Sequence, residues 1–195
     1  MSDVTAYRAS LIAAFDARAT YESAKNSENT SMQNTLATMK KSVDHDAIAS
    51  IMLAANVDAT FINRAERSNA RFNVYASEKV INVARACASA AQLNHYTRAI
   101  LLTAQAFQNA ELRMTHKDAI SACSMSCKSD AKREKIIVKY MKHVAANTAS
   151  TQSSSSINAL QMFDVLRETR DESNAICYTL NTESDVTKAL LAKLQ

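Results

Sequence analysis

Five lysines, Lys128, Lys132, Lys135, Lys139 and Lys142, follow one another at spacings of four, three, four and three residues. A helix turns about 100° per residue, so this spacing predicts one stripe of ammonium groups. Ile137, Tyr140, Met141 and Val144 fall on the other side, which predicts an amphipathic helix over 128–146 with a cationic outer face. The charge is local. Residues 128–146 hold six Lys/Arg and two Asp/Glu, a net of +4, and the whole chain with 23 and 19 is also +4. Everything outside this segment therefore sums to zero. A local cationic stripe points to an anionic partner, of which nucleic acid is the commonest. A solvated face kept only for solubility is the bland reading of the same residues.

A second group of polar side chains comes next. NTASTQSSSS at 147–156 reads as a polar turn, and SSSSINALQMFDVLRE supplies a helix over 153–167 with Ile157, Leu160, Phe163 and Leu166 inward. Thr151, Gln152, Ser153, Ser154, Ser155 and Asn158 would stand at its N-terminal end. The unpaired N–H groups of such an end attract phosphate. Hydroxyls and amides bond phosphates or base edges, and Asn or Gln reads adenine in two-pronged fashion. Arg167 and Arg170 flank the charged turn ETRDESN at 168–174. Arg64, Arg67 and Arg71, three and four apart, form a secondary cationic candidate for DNA contact.

Other chemistry is poorly supplied. The chain of 195 residues has no Gly and no Pro. A Walker loop, a dinucleotide fingerprint and a nucleophile elbow all need Gly for close backbone approach or a strained turn, so none is expected, nor any cofactor that depends on one. Cys123 and Cys127 are four apart with His116 upstream, but no C-x-x-C or H-x₃-H spacing completes a tetrahedral zinc site, and no metal is expected. Glu66, Glu78 and Asp164 lie far apart with nothing to make them converge; an enzyme is not the favoured reading, and a small carboxylate nuclease stays as an alternative. The N-terminus lacks a signal layout and no apolar run of about 18 residues exists, which with four scattered Cys predicts a cytoplasmic protein with free thiols, not membrane-spanning.

The same composition dictates the elements. Without Gly and Pro, helix breakers and tight hairpin turns are scarce, and Asn, Asp, Ser and Thr must make the turns. Helices are expected over 3–24, around 32–39, over 78–92 behind Ser77 and over 95–111 behind Asn94. Residues 44–70 read as a helix pair broken at Asn56-Val57-Asp58, with Asn56 left-handed and Asp58 capping. AANVDATFIN there has the rough layout of a helix-turn-helix, a plain helical hairpin being the simpler reading. RFNVYA at 71–76 alternates like a short extended piece. Thr115 and Asp118 form a capping box before a short helix, Ser129 caps the cationic one, AICYTL at 175–180 is the best strand, and Thr182 with Asp185 opens a last helix.

From 115 onward the order is helix, cationic helix, polar turn, helix, charged turn, strand, helix. This order resembles the winged helix-turn-helix superfamily of DNA-binding domains, over roughly residues 95–195. The resemblance implies that the 153–167 helix enters the major groove, that Arg167, Thr169 and Arg170 begin the wing, and that AICYTL is its return strand. The expected fold is mainly α: a helical N-terminal and central region, residues 1–93, for dimerisation or accessory DNA contact, and a winged-helix-like part, residues 94–195, with one short β-hairpin. The expected function is sequence-specific binding of double-stranded DNA by a transcriptional repressor or regulator acting as a homodimer. A helical scaffold protein of an assembly such as a viral particle is the alternative, and a small nuclease the third.

Overall fold

A computed structural model describes residues 3–65 and 71–194. The protein is mainly helical with one small three-stranded antiparallel sheet. It divides into two compact units, Met1–Ala91 and Gln92–Gln195.

The first unit is built from α1 (Asp3–Lys25), α2 (Thr30–Val43), α3 (Asp46–Ala54) and α4 (Val74–Ala88), with a 3-10 turn at Phe61–Asn63. The apolar repeat of α1 does what its spacing predicts: Leu11, Ala14 and Phe15 are buried. Asn29 and Asn73 cap α2 and α4 through their side chains. Thus α4 starts at Val74, inside the stretch expected to be extended, because Asn73 accepts the Tyr75 and Ala76 N–H groups and Ser77 is buried within the helix. The break after α3 comes at the expected residue, with Asn56 at φ 54°. Over the described residues up to Ala65 the expected second helix of that pair is not made, and 66–70 lie outside the described residues. Asp58 closes a local turn on the Thr60 N–H and hydroxyl, and a 3-10 turn follows. That turn delivers Phe61 edge-on to both Phe15 and Phe72, with centroids 6.2 and 6.0 Å away. A segment that is short of helix is thereby anchored in the core by one ring.

The second unit contains α5 (His95–Asn109), β1 (Met114–Thr115), α6 (His116–Ala122), the single turn α7 (Ala131–Glu134), α8 (Ala146–Met162), β2 (Leu166–Arg170), β3 (Ile176–Leu180) and α9 (Asp185–Ala192). α5, α6 and α8 pack on one another around Ile100, Ala104, Phe107, Ala119, Ile157 and Leu160. The sheet order is β1-β3-β2, with Met114 opposite Tyr178 and Glu168 opposite Tyr178 on its other side. β1 has only two residues, too short to leave a periodic signal. β2 replaces the first half of the expected charged turn, which shrinks to residues 171–174. The Thr115–Asp118 capping box of α6 is present as expected, whereas α7 and α9 are preceded by Asp130 and Ser184 and not by Ser129 and Thr182.

Turns without Gly leave a mark. Asn56, Glu111, Asp164 and Asn174 all have positive φ, between 50° and 64°. Asn and Asp tolerate this region through local hydrogen bonds; Glu111 has no such excuse and carries about 1 kcal/mol of strain. We expect Phe61→Ala to cost roughly 3–5 kcal/mol, read by urea denaturation, because it removes the ring shared by Phe15 and Phe72. A cost near 1 kcal/mol would show that the 3-10 segment is not anchored in this way.

Candidate nucleic-acid interface

The 17 residues of α8, ANTASTQSSSSINALQM, contain no charged side chain. The helix begins at Ala146, so the stretch expected to be a polar turn is its first half, and the expected 153–167 helix is displaced toward the N-terminus. Two stripes explain why this polar sequence is helical. Ala149, Ser153, Ser156 and Leu160, spaced four, three and four, are buried, and the small Ala and Ser side chains allow close approach to α5 and α6. Thr97 on α5 donates its hydroxyl to Ser156 at 3.1 Å. The hydroxyls of Ser153, Ser154 and Ser155 turn back onto carbonyls of the preceding turn, which satisfies them without solvent.

The opposite stripe is Asn147, Thr151, Ser154 and Asn158, again four, three and four. The first three are exposed and Asn158 is half-buried, as is Gln152. Of the residues expected at the base-reading end, Thr151 and Ser154 stand on the surface, Gln152 and Asn158 partly so, and Ser153 and Ser155 are buried. Asn147, exposed on the first turn, is a member of this face that the expected turn had hidden. Its signal was the unbroken heptad-like spacing from 147 to 158. No side chain caps α8 at Ala145.

The lysine stripe is not made. Within 128–145 only Ala131–Glu134 is helical, and residues 135–145 run as irregular chain. The backbone there finds partners outside itself. Thr103 bonds both the N–H and the C=O of Val138, and Ser124 does the same for Val144. Tyr140 N–H donates to the Ala122 carbonyl, and the Lys142 carbonyl accepts from Met125 N–H. These bonds replace the i−4 ladder that a helix would need. Met141, expected inward, is 75% exposed.

Two carboxylates hold this segment down. Asp118, fully buried at the start of α6, receives the Arg133 Nε at 3.1 Å to both oxygens and the Arg133 Nη2 at 2.5 Å. The Ser129 hydroxyl and the Thr115 N–H and hydroxyl complete its shell. Burial pushes its carboxyl up, and these donors more than offset that, so it sits below the ordinary carboxylate value. The Arg133 guanidinium also lies 4.7 Å from the Phe107 ring centroid. Glu134 accepts from Ser121 and from the Ser129 N–H, with Lys139 Nζ at 2.5 Å. Lys139 also donates to the Cys127 carbonyl and is mostly buried.

The five lysines therefore separate. Lys139 is a structural ion-pair member. Lys128 is exposed and 3.7 Å from Glu134. Lys132, Lys135 and Lys142 are exposed, with no ion pair among the described residues. Lys142 lies four residues before the start of α8. On the β2–β3 hairpin, Arg167 is held by Asp164 at 2.7 and 2.8 Å, and Arg170 bonds the Asn174 carbonyl. Both are exposed, so these contacts are worth little and are exchangeable. In the first unit, Arg71 lies 3.7 Å from the Tyr21 ring centroid and Arg64 lies 4.9 Å from that of Phe72; Arg67 lies outside the described residues. Arg64 and Arg71 themselves lie outside any helix.

No protein-family model, no curated protein and no solved structure matches the chain. Among the described residues, no helix is long and apolar enough to cross a membrane.

The Glu134 carboxyl makes a pH prediction. Burial raises it, but Lys139, the Ser129 N–H and the Ser121 hydroxyl lower it further, to about 2 from an ordinary 4.5. A group depressed on folding stabilises above its unfolded value and loses that contribution as pH falls from about 4.5 through about 2. Urea midpoints should therefore fall across that window, and Glu134→Gln should lower stability at pH 7 by about 2 kcal/mol while flattening the acid limb. An unchanged acid limb in the variant would remove Glu134 from this role.

Proposed function

We propose that the second unit binds double-stranded DNA, with α8 as the helix that enters the major groove, and that the protein acts as a transcriptional repressor by occluding a promoter. One observation carries the reading. The outward face of α8 is a charge-free row of Asn, Thr and Ser, reached after two supporting helices and followed directly by an antiparallel hairpin. Exposed helical faces are ordinarily charged. A face of uncharged donors and acceptors suits base edges, where Asn and Gln pair with adenine in two-pronged fashion and Ser and Thr bond donors or acceptors alike. The helix order α5, α6, α8 and the sheet order β1-β3-β2 support a winged-helix arrangement, with the hairpin as the wing.

Lys132, Lys135 and Lys142 supply the phosphate contacts in this reading, together with Lys128 and the exchangeable Arg167 and Arg170. Lys139 is reassigned to structure. A repressor of this kind would work as a homodimer on an inverted repeat, the first unit serving to pair two copies. The second reading, a helical scaffold protein, draws on one specific observation: the hairpin carries Glu168, Asp171 and Glu172 against Arg167 and Arg170, so its tip is not basic.

The test is selection of binding sites from random duplex DNA, followed by mobility shift at two salt concentrations. Lys135→Ala and Lys142→Ala should weaken binding by similar factors across sequences, and each should flatten the log-log salt slope by about one unit. Asn158→Ala or Thr151→Ala should change sequence preference, with about 1–3 kcal/mol at the contacted base pair. Lys139→Ala should lower stability and leave the salt slope of the folded fraction unchanged. Failure of the wild-type protein to shift any duplex at low salt would sink the reading.

A further inference from the structure

The irregular chain that replaces the lysine stripe builds a cleft against the start of α5. It encloses about 330 Å³ and is lined by His95, Arg98, Tyr140, Met141 and Lys142, among others. This falls at the small end of the range for ligand sites. Its aromatic wall is ordered. The His95 and Tyr140 rings are stacked, with centroids 4.4 Å apart and planes 8° from parallel. Tyr96 closes on both edge-on, at 4.9 and 5.0 Å. His95 is exposed.

The cleft is also cationic without compensation. No carboxylate is among its lining residues. Arg98 and Lys142 are exposed and in no ion pair among the described residues, while Lys139 is neutralised by Glu134. Lys142 Nζ lies 5.9 Å from the Tyr140 ring centroid, so cation and aromatic plane share one ligand space. The exposed Met141 adds a soft apolar rim of the kind that adapts to planar rings.

We propose that this cleft binds a nucleoside monophosphate. The base stacks as a third layer on the His95–Tyr140 pair, and the phosphate is held by Arg98 and Lys142. Base-on-aromatic stacking and charge-assisted bonds to phosphate are the two terms involved. A chain without Gly has no backbone cradle for phosphate, so side-chain cations take that role. A volume of about 330 Å³ matches a single nucleotide. The site does not rest on the DNA reading, although Lys142 serves both, and an occupied cleft would withdraw Lys142 from the duplex.

The experiment is calorimetric titration of the full chain with AMP, adenosine, inorganic phosphate and a six-residue single-stranded oligoadenylate. AMP should bind with a dissociation constant below about 1 mM, and adenosine and phosphate should each bind at least about tenfold more weakly. His95→Ala and Arg98→Gln should each weaken AMP about tenfold with unchanged thermal unfolding, and His95→Phe should restore it. Asn158→Ala, in the duplex-reading face, should leave AMP binding unchanged, which separates the two readings. No AMP binding at about 5 mM, or equal binding by wild type and His95→Ala, would overturn the proposal. Oligoadenylate binding more than about tenfold tighter than AMP would also overturn it, in favour of single-stranded nucleic acid.

Discussion

The buried Asp118 carboxylate is the constraint on which the second unit depends. A carboxylate removed from water must be matched by donors, and the unpaired charge would cost several kcal/mol. Thr115 alone would cap α6 but leave the charge bare. Arg133 answers it in two-pronged fashion, Ser129 adds a hydroxyl, and Arg133 in turn bonds the Arg113 carbonyl at 2.5 Å beside β1. One side chain thus ties α6, the sheet edge and the 124–145 segment together. Glu134 adjoins Arg133 and extends the same logic to Lys139. The segment is irregular because Arg133, Glu134 and Lys139 are used inward and its backbone is bonded to Thr103, Ser124, Ala122 and Met125.

This has a consequence for the surface. A helix over 128–146 would have shown five lysines in a row. The folded segment instead divides them: Lys139 goes inward, Lys128 leans on Glu134, and Lys132, Lys135 and Lys142 face solvent. A phosphate-binding role then needs fewer, separately placed cations, which is the pattern of contacts spread along a backbone. The same irregular course brings Tyr140 onto His95, a contact of residues 45 apart that a straight amphipathic helix would not make.

The uncharged face of α8 reflects a related division of labour. Its buried stripe is made of Ala, Ser and Leu, so packing alone does not distinguish it strongly from the exposed stripe of Asn, Thr and Ser. Intrinsic preference is weak for such residues, since Ser, Thr and Asn compete for their own backbone. The helix is stable because α5 and α6 bury one side of it and because the hydroxyls bond carbonyls of the preceding turn. Ser-rich composition reads as a turn by local chemistry; burial reverses that.

Much of the architecture follows from the chain itself. The absence of Gly and Pro determines a helical protein; the apolar repeats set α1 and α5; Asn94, Asn56 and the Thr115–Asp118 box mark ends and turns through local hydrogen bonds; and the strand-favouring run ICYTL marks β3. These are decided within about one helical turn, by interactions between neighbours in sequence. Only the tertiary structure decided which lysines are surface cations, that 146–156 is helix, that β1 exists, and that His95, Tyr140 and Lys142 share a cleft. Each of these depends on a partner at least several residues beyond the local window: a buried carboxylate seeking Arg133, a hydroxyl on α5 taking the backbone of Val138, a strand of two residues defined only by Tyr178 opposite. Periodicity reports where a side chain would point if the helix formed. It carries no information on whether a distant group offers the backbone a better bond.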